Sequence, residues 1–369
     1  MPPAARRRVS SAPGRRMSAR PGTGRVRRWI ADLEPGSAAF VMATGIVSAA
    51  LAVAGWRVLS EAFLAVAVVG GAVLLVAYSW RAIAYSARLA ADARDPGKGF
   101  GYFTLVAAPN VVGLRMALDD HLTAAVVLGF VGAAFWLVLT YAIPGTLIMG
   151  ERGVAPLARV DGSWFLWVVG TQALSGTAAT VAAARPGAAS WLVPVALFGI
   201  GVVLYLMLVG VVTVSLLENV VTPHALSPSY WVYMGATAIT VQSASAILSV
   251  REPLPVLTVA REVVSGIAFL WWAFGTWWIP MLLVFAVWRH AVRGSRVGYV
   301  PALWSVVFPL GMYAAASADF GRATGLAFMV AIARVAVWAS VAAWLGVAVL
   351  MVAPARLAAG RGLSHYETK

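Results

Sequence analysis

Apolar runs of roughly 20 residues recur along the whole chain, separated by short clusters of Arg, Asp, Gly and Pro. A helix of about 20 apolar residues crosses the hydrocarbon core of a bilayer. The runs come in two alternating textures. One kind, over 37–56, 102–118, 163–184, 230–250 and 301–317, is flecked with Gly, Ser, Thr, Asn and Gln. The other kind, over 61–85, 122–149, 190–217, 258–288 and 323–352, is longer and almost wholly apolar. The polar-flecked runs begin about 60 to 70 residues apart, so one two-helix unit recurs along the chain. The pattern predicts an all-α polytopic membrane protein: ten transmembrane helices arranged as five helical hairpins around a central pore. A barrel would show alternating segments of about 10 residues, and these runs are continuous.

The alternation itself needs a cause. A polar side chain in a membrane helix is costly unless it finds a partner or water. Small and hydroxylated residues also serve close helix packing, which accounts for single cases but not for their concentration in alternate spans. Five polar-faced helices ringed by five apolar ones account for it. Pro109 and Pro309 fall in the middle of polar-flecked spans, where they kink the helix and free carbonyls. Freed backbone groups at membrane depth are tolerated where they line a cavity. Thr44, Asn110, Gln172, Thr240 and Gln242 are the candidate lining donors. Phe40 and Phe308 also lie in these spans; each either packs or projects into a narrow pore as a hydrophobic gate. None of the 14 acidic residues falls well inside a polar-flecked span, because Ala318 to Arg322 reads as a turn. A lining without carboxylates leans towards an anion or a neutral solute. Arg334, within the last apolar run, is placed outside the pore.

Composition narrows the class. With 61% hydrophobic and 11% charged residues and a mean hydropathy of +0.83, the chain is not a soluble globule. Net charge is +14, and nine of the 28 basic residues lie in the first 28 positions. Residues 1–34 therefore read as a basic disordered tail. Its expected role is topological, with attraction to anionic lipid, rather than as an arm for nucleic acid. Basic residues gather in this tail, in the loops after the apolar spans and in a short tail over 354–369. That places both termini of a multi-pass cell-membrane protein on the cytoplasmic side, with the ten-helix domain over 35–353. There is no cysteine, which removes disulfide and thiolate chemistry. His121, His224, His290 and His365 form no ligand pair, so no metal and no cofactor is expected. No Ser-His or His-Glu constellation supports an enzyme.

The stretches Pro35-Gly36-Ser37-Ala38-Ala39-Phe40-Val41-Met42-Ala43-Thr44-Gly45-Ile46 and Trp304-Ser305-Val306-Val307-Phe308-Pro309-Leu310-Gly311 resemble the tellurite-resistance/C4-dicarboxylate transporter family. Tyr230-Trp231-Val232-Tyr233-Met234-Gly235-Ala236 resembles the start of that family's seventh span. The family includes plant slow anion channels and fungal malate and sulfite transporters. The resemblance covers about 35–352. It implies a homotrimer with one pore per protomer, and it puts Phe308, followed by Pro309, at the position of a pore-occluding ring. It implies small anions as cargo: a C4-dicarboxylate, sulfite, tellurite, or a halide- or nitrate-like ion. The alternative is a proton-coupled secondary transporter of dicarboxylates or sulfite that works by alternating access.

Overall fold

The computed structural model describes residues 23–150, 159–185, 190–218, 226–250, 255–294 and 298–363. The elements are helices, and no strand occurs among the described residues. In chain order they are α1 (Thr23–Ala31), α2 (Ala39–Val53), α3 (Arg57–Ala84), α4 (Ser86–Arg94), α5 (Thr104–Ala117) and α6 (Leu122–Met149). Then follow α7 (Leu166–Ala184), α8 (Leu192–Glu218), α9 (Val232–Leu248), α10 (Pro255–Val287), α11 (Trp304–Thr324) and α12 (Ala327–Leu363).

Each polar-flecked helix is entered through a short 3-10 turn: Pro35–Ala38 before α2, Gly99–Phe103 before α5, Gly162–Phe165 before α7, Pro228–Trp231 before α9 and Pro301–Leu303 before α11. Three of these turns contain Pro near their start, where a missing N–H is harmless and φ is already helical.

Helix α2 packs on α5, α5 on α7, α7 on α9, α9 on α11, and α11 returns to α2. The five 3-10 turns touch one another in the same cyclic order. The N-termini of these five helices therefore converge at one end. The apolar helices pack outside, each against its predecessor in the chain: α3 on α2, α6 on α5, α8 on α7, α10 on α9 and α12 on α11. Burial follows this division. The spans containing α2, α7 and α11 are 72%, 78% and 72% buried, against 17%, 11%, 22% and 17% for α3, α6, α10 and α12. The outer helices expose Val68, Leu75, Val131, Leu206, Leu270 and Val335, a continuous apolar exterior suited to lipid.

Among the described residues, eight helices are long and apolar enough to cross a membrane. Helices α5 and α9 are not among them. The 14 residues of α5 include Asn110 and Arg115, and α9 has 17 residues. Both lie inside the packing rather than against lipid, so nothing selects them for length or greasiness.

Other segments differ from the sequence pattern. Residues 23–31, inside the stretch read as a tail, form α1, with Ile30 buried. Ser86–Arg94, read as a loop, forms α4. Ala318 to Arg322, read as a turn, is helical; α11 continues to Thr324 and ends at Gly325, whose φ of +77° makes the left-handed C-cap. Residues 1–22 and 364–369, together with most of the loops over 151–161 and 218–228, lie outside the described residues.

Candidate functional site

The site is built from the contacts between the five inner helices, and a glycine stands at each of them. A methyl group at Gly45 would lie 3.3 Å from Val112 of α5, one at Gly170 3.2 Å from Val106 of α5, and one at Gly176 3.7 Å from Ser243 of α9. At Gly235 of α9 it would lie 2.8 Å from Pro309 Cγ, and at Gly311 of α11 2.9 Å from Ile46 of α2. Missing side chains let the backbones approach, as small residues do between membrane helices. The tightest of these contacts, α9 to α11, carries Phe308 and Pro309. The Phe308 ring lies 3.4 Å from where a Gly235 methyl would stand. Phe308 has no accessible surface, so no water-sized opening reaches its ring.

The six lining candidates are placed individually. Thr44 Oγ1 donates to Phe40 O (2.7 Å) and accepts from Trp344 Nε1 of α12 (2.9 Å). Asn110 Nδ2 donates to Val106 O of its own helix (2.8 Å); the side chain occupies the space that Gly132 of α6 leaves open. Gln172 Nε2 donates to Phe198 O of α8 (3.1 Å) and fills the gap over Gly201. Thr240 is buried and donates to Ala236 O, one turn back (2.8 Å). Phe40 lies over Gly70 of α3 and meets Trp304 edge-on at 5.0 Å. Among the five polar candidates only the Gln242 side chain hydrogen-bonds to a second inner helix: its Nε2 donates to Asp319 Oδ2 of α11 at 2.8 Å. Thr44, Asn110 and Gln172 thus turn their polar atoms to the outer helices, and other inner polar groups do the same. Trp136 Nε1 of α6 donates to Thr171 Oγ1 (2.9 Å), Ser175 Oγ to Pro194 O (2.8 Å), and Trp272 Nε1 to Ser317 Oγ (2.9 Å).

Three charged side chains escape the sequence pattern. Asp319 lies within α11, which corrects the reading that no acid falls inside an inner span; its oxygens meet Gln242 and, at 3.5 Å, Arg322. Arg115 of α5 is buried, with Nε on Ser60 Oγ (2.8 Å) and Ser48 Oγ (3.1 Å) and its guanidinium on Asp119 (2.6 Å). Arg81 of α3 is buried against Tyr102 and Asp92. Both arginines are neutralised by acids near in sequence. A buried ion pair is tolerable only with such compensation, and that proximity was the available signal.

At the converged end, the 3-10 turns are tied by their own chemistry. Asp161 accepts from Ser163 N (3.0 Å), Ser163 Oγ (2.6 Å), Ser227 Oγ (3.2 Å) and Ser229 Oγ (2.7 Å), joining two turns. Gly162 presses on Ser229 O, and Gly101 on the Gly36 backbone. Burial pushes the Glu34 carboxyl above its ordinary value; Lys98 opposes this and Asp92 adds to it. Five helix N-termini meeting here gather the positive ends of their dipoles at one end of the bundle. No group of His, Cys, Asp and Glu able to hold a metal ion occurs among the described residues.

Known proteins are similar to parts of this sequence. An uncharacterized membrane protein of Mycobacterium tuberculosis (strain H37Rv) is 38% identical over 141 residues, which is 38% of this chain and 71% of that protein. An uncharacterized transporter of Methanocaldococcus jannaschii is 23% identical over 251 residues, 66% of this chain and 70% of that protein. A second one from the same organism is 28% identical over 120 residues, 32% of this chain and 33% of that protein. The family described as voltage-dependent anion channel matches residues 32–352, and the chain belongs to that family.

Proposed function

We propose that this protein carries small anions across a cell membrane along the axis enclosed by α2, α5, α7, α9 and α11, with Phe308 as the gate and Pro309 fixing the bend that aims it. The observation that carries the reading is the Phe308 ring, wholly buried on an inner helix and seated against Gly235 of the next. Membership of an anion-channel family supports the cargo class. Five converging helix N-termini favour negative charge at one mouth. The buried arginines are already committed to Asp92 and Asp119. The path then admits anions without a tight site, as conduction requires.

In this reading the short inner helices α5 and α9 cross the bilayer together with the eight longer spans, both termini are cytoplasmic, and the assembly is a homotrimer. The cargo is a halide- or nitrate-like ion, sulfite, tellurite or a C4-dicarboxylate, and a panel of these decides between them. Thr240 and Gln242 remain lining candidates; Thr44, Asn110, Gln172 and Phe40 act as ties to the outer helices. Phe308→Ala should raise anion flux through liposomes well above wild type. Unchanged flux in a correctly folded variant would sink the gate assignment.

One observation favours a second reading, proton-coupled transport: Asp319 places a titratable group on an inner helix. Uptake that saturates and follows an imposed pH gradient, with no single-channel current, would favour it.

A further inference from the structure

Asp319 and Gln242 are placed in register with the Phe308 contact. Phe308 and Asp319 are 11 residues apart on α11, about three helical turns, so they share one face. Gly235 and Gln242 are seven apart on α9, about two turns, and share the facing one. The Gln242–Asp319 bond therefore lies on the same helix–helix seam as the Gly235–Phe308 contact, towards the C-terminal ends by about 16 Å along α11 and about 10 Å along α9.

Two further features mark this pair. Residues 311–318, 320 and 321 are buried, whereas the Asp319 side chain keeps 27% of its surface. Arg322, one turn on, keeps 51% of its side-chain surface, so the two open together near the C-terminal end of α11. Gln242 is only 7% exposed, and its Oε1 is buried without a donor. A carboxylate can only accept, so with Asp319 ionised the amide oxygen beside it stays unmatched, which is unfavourable. A proton on Asp319 creates an O–H that can serve that oxygen once the amide turns.

The charged surroundings are sparse. Helices α2 and α9 carry no Asp, Glu, Lys, Arg or His. Tyr233 of α9, Tyr313 of α11 and Tyr230 before α9 are neutral phenols. On α11 itself Arg322 stands at 3.5 Å, shared with Val53 O of α2 at 2.7 Å. Arg334 of α12 faces outward. At the same end Arg57 pairs with Asp119, and α10, packed on α9, brings Arg261, which donates to Val250 O at 3.0 Å, and the exposed Glu262 beside it.

We infer that Asp319, paired with Gln242, is a proton-binding site on the anion pathway, and that its protonation raises anion passage. The step is simple association of one proton with one carboxylate oxygen. It removes a negative charge from a path meant for anions and exchanges the Gln242 N–H donor contact for a carboxyl O–H donated to Gln242 Oε1. The inference rests on the anion reading above for its consequence, though not for the proton site itself.

The test uses the full chain in liposomes with a nitrate or chloride gradient, taken from about pH 8 to about pH 5 across the carboxylate range. Wild type, Asp319→Asn, Phe308→Ala and the double variant are compared. The expected result is a severalfold rise in wild-type flux on acidification. Asp319→Asn should hold the acid-level flux at every pH, alone and with Phe308→Ala. In parallel, infrared difference spectra between the two pH values should show a protonated-carboxyl band in wild type that Asp319→Asn lacks. Wild-type pH dependence retained in Asp319→Asn, or an infrared band unchanged by it, overturns the inference. If no variant carries anions but the band disappears in Asp319→Asn, the proton site stands and the anion reading falls.

Discussion

At the scale of single residues, Gly235 decides how closely Phe308 can be held. A methyl there would stand 2.8 Å from Pro309 Cγ, inside van der Waals contact, and a proline ring fused to a helix has little freedom to move aside. Gly235→Ala should therefore push α9 from α11 and loosen the seat of the ring. Overpacking of this kind costs about 1–3 kcal/mol. The expected outcome is a lower melting temperature in detergent with raised basal anion flux. A variant with wild-type melting and wild-type flux would show that the contact yields freely. The sequence singled out Phe308 as a ring that either packs or gates, and the family resemblance pointed to the gate; its full burial is what the structure adds. Gly235 was visible only as one more small residue, since its meaning lies in what faces it. Asp319 was hidden for a local reason: Ala-Asp-Phe-Gly-Arg has the composition of a turn, yet Phe320 is buried and Gly321 lies against Met329 and Val330, which keeps that stretch helical.

At the scale of elements, the alternation of textures carried most of the information. It separates inner from outer helices because burial sets the composition of each kind. What it did not reveal was the direction in which inner polar groups point. The rule that polar residues in alternate spans line a cavity competes with the rule that polar residues tie membrane helices together, and in α2 and α7 the second accounts for Thr44 and Gln172, while Asn110 bonds within α5 and fits against Gly132. Thr44→Val keeps the volume and removes the acceptor of Trp344 Nε1, leaving a buried N–H unmatched. It should lower stability by about 1–3 kcal/mol and leave relative anion permeability as in wild type. A changed anion preference in Thr44→Val would return that residue to the lining. The ends of elements were read less well than their middles. The 3-10 turns and α4 are too short to show a period, and the true end of α11 is set by one backbone angle. Gly325→Ala, at φ +77° with no neighbour within 4 Å of the added methyl, should cost about 1–2 kcal/mol from backbone strain alone. Thermal unfolding of the purified variant reads this directly, and an unchanged transition would mean that α11 ends elsewhere.

At the scale of the whole molecule, the cyclic packing of five helices has an electrostatic consequence that no single element has. All five begin at one collar, so their partial positive ends add where the chain is most crowded with backbone. Glu34 sits at that collar, and its side chain caps no helix N–H. Glu34 is exposed to solvent over much of its surface, so its buried part has only a small effect: desolvation comes first and raises the carboxyl from 4.5, Lys98 pulls it back and Asp92 pushes it up. The sign of the linkage follows. A carboxyl whose folded value lies above its unfolded one binds a proton more readily in the folded state, so its contribution is fully favourable below 4.5 and is lost as pH rises through the raised value. Glu34→Gln, neutral at every pH, should melt above wild type at neutral pH, and the two curves should converge as pH falls below that ordinary value. Parallel melting curves of the two proteins in detergent measure this. A variant less stable than wild type at neutral pH would mean that the charged form of Glu34 is held by the collar, and that attraction from Lys98 and the five helix ends outweighs burial there.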